Sequence, residues 1–167
     1  MSELTGNKLS DHLHELLNGE NLEEKLWNAI LIVTNGPEGW PHPAMLSYGE
    51  VVAIDPGTLR LVTWEGTTTT GNLKRNPNVT LILVDREGAY YIKGRAEPLG
   101  KISERISELG DKRVSMSVFQ MGITRVLEDV NRLTPLITGI TYRFRGDEQV
   151  YLKERVSILA KVRELGG

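Results

Sequence analysis

The 167-residue sequence contains no cysteine. A disulfide framework, a thiolate nucleophile, an iron–sulfur cluster and a cysteine-based zinc site are therefore excluded as chemistry of this chain. Histidine is scarce as well, with three residues in total. His12 and His14 lie two positions apart on a predicted helix and point to different faces, and His42 stands between two prolines on a predicted loop. We therefore expect no metal site.

The sequence also lacks a dominant charge sign and a long apolar run. Twenty basic and 22 acidic residues give a formal net charge of −2, which argues against a nucleic-acid partner because phosphate contacts need surplus Lys and Arg. The longest apolar run, residues 29–33, is too short to cross a bilayer. The first 18 residues carry acids and histidines where a signal peptide needs a basic start and an apolar stretch. We expect a cytoplasmic protein with no membrane partner.

Familiar catalytic motifs are missing too. The sequence has no GxSxG elbow, no Walker loop and no GxGxxG after a predicted strand. No side chain stands out as a general acid, a general base or a nucleophile. If the chain does chemistry, we expect a bound organic cofactor to supply it.

The composition is that of a globular protein, with 40% hydrophobic and 25% charged residues. Short β-like segments alternate with turn signals such as Asp55-Pro56-Gly57, which suit tight hairpin connections. Regular short strands with little helix between them favour an antiparallel barrel or sandwich. The six predicted strands of this core cover residues 27–34, 43–48, 51–55, 59–64, 79–85 and 90–99.

Apolar residues spaced by three and four predict helices around this core. Ile102, Ile106 and Leu109 show this spacing, for example. Two more short strands are predicted at 140–145 and 149–153, joined by a turn at Gly146-Asp147. We see no linker or repeat and expect one domain over residues 1–167. The predicted helical additions lie at 8–19, 101–133 and 155–166, with a short helix at 69–76 inside the strand region.

A hydroxyl-rich turn leads into that short helix. Four consecutive threonines occupy 67–70, and Lys74 and Arg75 follow near the helix end. The first N–H groups of a helix lack internal partners and the helix dipole favours an anion there, so the pattern predicts a phosphate site. The alternative is that one threonine is the N-cap and the others fill the turn.

Several further pieces of sequence occur in a defined order around the threonine-rich turn. Asn-Leu-Lys-Arg-Asn-Pro-Asn-Val-Thr (72–80) and Tyr-Ile-Lys-Gly-Arg-Ala-Glu (91–97) follow it, and an apolar strand and Trp-Pro-His-Pro-Ala-Met (40–45) precede it. This ordered set resembles the pyridoxamine-phosphate-oxidase-like, FMN-binding split-barrel family, and the upstream pieces resemble the opening hairpin of that family. The resemblance covers about residues 28–99. It implies a mainly β (α+β) fold, a six-stranded antiparallel split β-barrel with flanking helices.

The resemblance further implies FMN as the cofactor, bound at the interface of a homodimer. The second strand would run along the ring and ribityl chain, the strand end before the short helix would face the flavin, and the threonine turn would hold the phosphate. The cofactor-binding residues implied in this way are Met45, Leu46, Ser47, Val62, Thr63, Trp64, Thr67, Thr68, Thr69 and Thr70, with Lys74 as a second cation.

Two departures from the family pattern shape the expected function. Threonines fill the phosphate turn where relatives usually carry Lys or Arg, and the Arg- and Trp-containing end segment of true pyridoxamine-phosphate oxidases has no counterpart. We therefore expect not vitamin B6 oxidation but an oxidoreductase that uses FMN to pass hydride or electrons between a reduced nicotinamide or similar donor and a small organic acceptor. The open alternatives are a flavin- or haem-binding sensor or stress protein without turnover, and a deazaflavin-dependent reductase of the same fold.

Overall fold

The computed structural model describes residues 1–166. Its strands are β1 (Glu3–Gly6), β2 (Ala29–Asn35), β3 (Pro41–Ser47), β4 (Val51–Asp55), β5 (Thr58–Trp64), β6 (Asn78–Asp85), β7 (Gly88–Ile106) and β8 (Lys112–Val130). Its helices are α1 (Asp11–Leu17), α2 (Leu22–Lys25), α3 (Thr68–Arg75) and α4 (Glu148–Glu164), with a 3-10 turn at Ser107–Leu109.

The strands form an antiparallel sheet in the order β3-β2-β6-β7-β8-β5-β4, and β1 pairs with β8. The two edge strands, β3 and β4, follow each other along the chain through a tight turn in which Glu50 N donates to Ser47 O at 3.0 Å. The sheet therefore curls until its edges meet at this turn. Across residues 1–166 no ladder joins β3 to β4, so the barrel is split along this seam.

The inside of the curled sheet is the hydrophobic core. Strand β2 shows the period of two that a half-buried strand requires, with Ile30 and Ile32 fully buried between partly exposed neighbours. Phe119 of β8 is the largest of the fully buried side chains and lies among Leu59, Leu61 and other core residues. Burial of these side chains is the main favourable term that holds the sheet closed.

The six predicted core strands are confirmed as β2 to β7, so the predicted mainly β fold is correct. The first strand begins at Ala29 rather than at residue 27, and the last extends to Ile106. Two strands, β1 and β8, complete the eight-stranded sheet and were not predicted. The short helix before Pro77 is confirmed as α3, and the N-terminal helix as α1, which begins after Ser10 because the Ser10 hydroxyl accepts from Leu13 N at 3.3 Å.

The predicted helical region at 101–133 is wrong. Residues 88–130 form a long hairpin of β7 and β8, paired from Gly88↔Val130 to Ile106↔Lys112. The error has a simple cause. A spacing of four, as in Ile102 and Ile106, places two side chains on one face of a helix and equally on one face of a strand. The ladder with the partner strand, which the local pattern does not contain, decides between the two.

The two short strands predicted at 140–145 and 149–153 are also wrong. The first region contains one isolated bridge, Asn28↔Thr141, and the second is the start of α4. The helix begins there because the Asp147 carboxylate accepts from Gln149 N and Val150 N at 2.9 and 3.1 Å. Asp147 is therefore a helix N-cap and not a hairpin residue. As a result α4 starts at Glu148, seven residues before the predicted helix at 155–166.

None of the helices in residues 1–166 combines the length and the apolar character that spanning a membrane would require.

Candidate functional site

A cleft of about 510 Å³ opens beside the seam of the barrel. It lies between edge strand β3, the end of β5, the start of α3, helix α4 and the tip of the β7–β8 hairpin. This volume is within the range of small-molecule sites. The lining residues are His42, Ala44, Met45, Leu46, Glu50, Thr63, Trp64, Thr67, Thr68, Thr69, Glu108, Tyr151 and Arg155.

Three of the threonines stabilise the turn itself. The Thr67 hydroxyl caps α3 by accepting from Thr70 N at 3.3 Å and donates to Trp64 O at 2.9 Å. The Thr70 hydroxyl donates to Trp64 O at 2.6 Å and lies 2.6 Å from the Thr63 hydroxyl. Thr63 and Thr70 are buried. These three hydroxyls therefore hold the end of β5 against the start of α3.

Thr68 and Thr69 are left to face the cleft. Within residues 1–166 neither hydroxyl has a hydrogen-bond partner, and both residues line the cleft. Their backbone N–H groups are the first two of α3, which no carbonyl of the preceding turn can reach. The turn thus presents two hydroxyls and two N–H groups at the positive end of a helix dipole, a suitable arrangement for an anion.

Lys74, the predicted second cation, lies outside the cleft lining. Its ammonium contacts both carboxylate oxygens of Glu65 at 3.1 and 3.2 Å, and Lys101 approaches the same carboxylate at 3.5 Å. A hydrogen bond from Ser117, with help from Lys74, lowers the pKa of Glu65. Glu65 is therefore a stable anion, and it offsets the charge of Lys74.

The predicted strand residues divide into two groups. Met45, Leu46, Thr63 and Trp64 line the cleft, and Met45 is 63% exposed because β3 is an edge strand. Val62 is fully buried in the core. Ser47 is buried, and its N–H and hydroxyl both donate to Glu50 at 2.7 and 2.9 Å. The proposed contacts of all six strand residues with a cofactor stay a prediction.

The histidines are dispersed over the structure. His42 lies on β3, where it lines the cleft, and not on the predicted loop. His12 Nε2 lies 2.8 Å from Asp85 Oδ2, and neither residue lines the cleft. Among residues 1–166 no group of three or more His, Asp or Glu side chains is arranged to hold a metal ion.

The sequence pattern gave no indication of four further polar residues that line the cleft. The β3–β4 turn contributes Glu50, the 3-10 turn contributes Glu108, and α4 contributes Tyr151 and Arg155. Arg155 is 2% exposed, although arginine is rarely buried without a partner. Only the assembled fold brings these four residues together, and the wrong helix at 101–133 hid the position of Glu108.

Comparison with known proteins gives a consistent result. The family model for pyridoxamine 5'-phosphate oxidase matches residues 20–139. The protein YclD of Bacillus subtilis (strain 168) is 33% identical over 144 residues, which cover 86% of this chain and 89% of YclD. The structure of a candidate pyridoxamine 5'-phosphate oxidase from Lactobacillus delbrueckii aligns with a TM-score of 0.54 at 22% identity, over 75% of this chain and 98% of that one. A variant of HupZ from Group A Streptococcus aligns at 0.50 and 16%, over 72% and 98%.

The curled antiparallel sheet with a ligand-sized cleft at its seam defines a split-barrel protein. The chain belongs to the pyridoxamine 5'-phosphate oxidase family, because the family model spans well over half of it. The family resemblance identified from the sequence is thereby confirmed. The two structural likenesses support the fold alone.

Proposed function

We propose that the chain binds FMN without a covalent bond and acts as an oxidoreductase that passes hydride or electrons from a reduced nicotinamide or similar donor to a small organic acceptor. One observation carries this proposal. A single cleft joins the threonine-rich start of α3 to the open edge of a barrel strand and to a tryptophan. FMN has the matching parts, a terminal phosphate and a flat apolar ring.

The phosphate end of the cleft fits the group. Thr68 and Thr69 offer hydroxyl and backbone donors, and the dipole of α3 adds a partial positive charge. Hydrogen bonds to a charged acceptor are stronger than those between neutral groups. The turn therefore holds a phosphate by directed donors rather than by a lysine or arginine, in keeping with the departure seen in the sequence.

The ring end of the cleft fits as well. Met45 and Leu46 supply an apolar surface, and Trp64 supplies an aromatic one beside the threonine turn. When bound, FMN supplies the hydride and electron transfer chemistry. The residues of the chain would orient the cofactor and limit the access of water.

The charge near the turn favours FMN over the deazaflavin, whose longer acidic tail needs a basic groove. Lys74 and Lys101 both contact Glu65. Their charges are offset by this carboxylate, which leaves little positive charge for a second anionic group. We therefore propose FMN as the cofactor.

We further propose that a second copy of the chain completes the site. Trp40 is 76% exposed just before β3, and Met45 is 63% exposed on the same edge strand. Exposed apolar side chains along an unpaired sheet edge offer a surface on which another chain can pack. A homodimer packed on this edge would cover both residues and close the open side of the cleft.

We expect the protein to have a mass in solution of twice the 18.7 kDa of one chain, measured by light scattering after gel filtration. Trp40→Asp places a charge in the proposed interface, so it should shift the mass toward one chain. Ile137→Asp changes a side chain that is 98% exposed in another segment and should leave the dimer intact. A wild-type monomer contradicts the proposed homodimer.

The cofactor proposal is tested by titrating the protein with FMN and with riboflavin, which lacks the phosphate. We expect FMN to bind more tightly by about a thousandfold, since hydrogen bonds from two hydroxyls and two N–H groups to a charged group are gained. Quenching of flavin fluorescence measures both affinities, and a rise in melting temperature with FMN concentration confirms binding to the native state. Equal affinities would contradict the phosphate site.

A separate assay distinguishes an enzyme from a sensor. Bleaching of the bound flavin by NADH or NADPH, followed by its reoxidation by a quinone, would indicate an enzyme.

A further inference from the structure

The cleft also holds a buried ion cluster that the proposed function does not use. The Arg155 side chain is 3% exposed, and its Nη2 donates to Glu108 Oε2 at 3.2 Å. Its Nη1 lies 3.9 Å from Glu50 Oε1, which is too far for a hydrogen bond. The guanidinium lies over the Tyr151 ring, 4.4 Å from its centroid. All four residues line the cleft.

Arg155 is rigidly positioned. Tyr151, beneath it, stacks on Phe144 at 4.6 Å and on Trp27 at 5.9 Å between ring centroids. On the other side, Gly49 packs so closely that a Cβ there would lie 2.6 Å from Arg155 Cβ. The rotamer entropy of the arginine has therefore been lost already on folding, which favours binding of a ligand.

Arg155 has unused hydrogen-bonding capacity. Its Nε and Nη1 are buried without a hydrogen-bond partner within the described residues. Burial disfavours its charge, but Glu50, Tyr151 and Glu108 raise the pKa of Arg155, so the guanidinium is cationic. A guanidinium can donate two parallel hydrogen bonds to one carboxylate, and Glu108 accepts one. A better placed carboxylate would satisfy a second nitrogen.

Glu108 is the exchangeable partner of Arg155. It lies in the 3-10 turn at the hairpin tip, and its side chain is 29% exposed. Burial raises the pKa of Glu108, and the nearby Glu50 carboxylate raises it further, while Arg155 lowers it only in part. The ion pair with Arg155 therefore stabilises the Glu108 anion weakly. Glu50, in contrast, is fixed by hydrogen bonds from Ser47 N and Oγ.

We propose that Arg155 binds the carboxylate of a small aromatic acid, which takes the place of the Glu108 carboxylate. One carboxylate replaces another, so the net charge of the cluster does not change, and the ligand gains the second hydrogen bond that Glu108 does not make. The ring of the acid would pack against Trp64, since the Tyr151 ring is 4% exposed and already covered by Arg155, Phe144 and Trp27. The inference rests on the proposed function, because it places this acid as the substrate beside the cofactor.

The test compares 2-naphthoate with 2-naphthamide, which has the same shape without the charge. Isothermal titration of the protein, with and without FMN, should show that naphthoate binds about tenfold more tightly or better. Arg155→Met should abolish the difference. Arg155→Met leaves the carboxylates of Glu50 and Glu108 without their cation, so a second variant, Glu108→Ala, is tested as well. Removal of the competing carboxylate should tighten naphthoate binding about tenfold and leave naphthamide unchanged.

Glu164→Ala is the matched control, since it removes an exposed carboxylate from the end of α4 and changes the net charge equally. It should leave naphthoate binding unchanged. Equal binding of acid and amide by the wild-type protein, or weaker naphthoate binding in Glu108→Ala, would overturn the inference. The FMN-to-riboflavin affinity ratio, measured on the same variants, should stay at its wild-type value. If the wild-type protein binds FMN and riboflavin equally but still binds naphthoate, the FMN proposal is contradicted and the acid site is not.

Discussion

Replacement of both Thr68 and Thr69 by alanine should weaken FMN binding about a hundredfold, since the proposed complex would lose two hydrogen bonds to a charged phosphate. The loss should be confined to the phosphate. Riboflavin, which has none, should bind the variant as it binds the wild type. Flavin fluorescence titrations of both ligands against both proteins form a complete cycle, and we expect the FMN affinity of the variant to approach that of riboflavin.

The variant should fold normally, because neither hydroxyl supports the turn. The cap of α3 is Thr67, and the buried contacts are made by Thr63 and Thr70. Thr134→Ala with Thr138→Ala serves as the control, since it removes two exposed threonine hydroxyls outside the cleft lining. Unchanged FMN affinity in the Thr68 and Thr69 variant would show that the phosphate lies elsewhere.

The second large effect concerns stability. Gly94→Ala should lower the free energy of unfolding by about 3 kcal/mol. A Cβ at Gly94 would overlap the backbone carbonyl of Gly122 and lie 2.8 Å from Met121 Cε. The ladder between β7 and β8 already shifts register between Lys93 and Gly94, so the two strands approach each other closely there. A backbone atom cannot move aside as a flexible side chain does.

Chemical denaturation measures this loss, and a melting temperature lowered by roughly 6–12 °C should accompany it. Gly122→Ala is a matched control on the facing strand, because a Cβ there meets no atom within 4 Å. It should change the free energy of unfolding by less than about 0.5 kcal/mol. If both variants are equally stable, the close approach of the strands at Gly94 is wrong.

The local features of this protein could be predicted because they depend on neighbouring residues. Strands β2 to β6 have turn residues at their ends, and α3 begins at a threonine and ends before Pro77. The threonine turn could be found for the same reason, since a helix cap and an anion site use adjacent positions. The sequence pattern does not show which of the four threonines hold the turn and which face the cleft. This depends on which hydroxyls contact Trp64 and Thr63 in the folded chain.

Residue content and local pattern were enough to show that this chain has no cysteine chemistry, that its core is an antiparallel sheet and that a threonine-rich helix start follows a strand. Those properties follow from composition and short-range spacing. Long-range contacts were needed to show that residues 88–130 form a strand hairpin, that Lys74 is held by Glu65, and that Arg155 meets Glu108 in the cleft. The physical reason is that ladders, ion pairs and burial depend on residues brought together from distant positions in the chain.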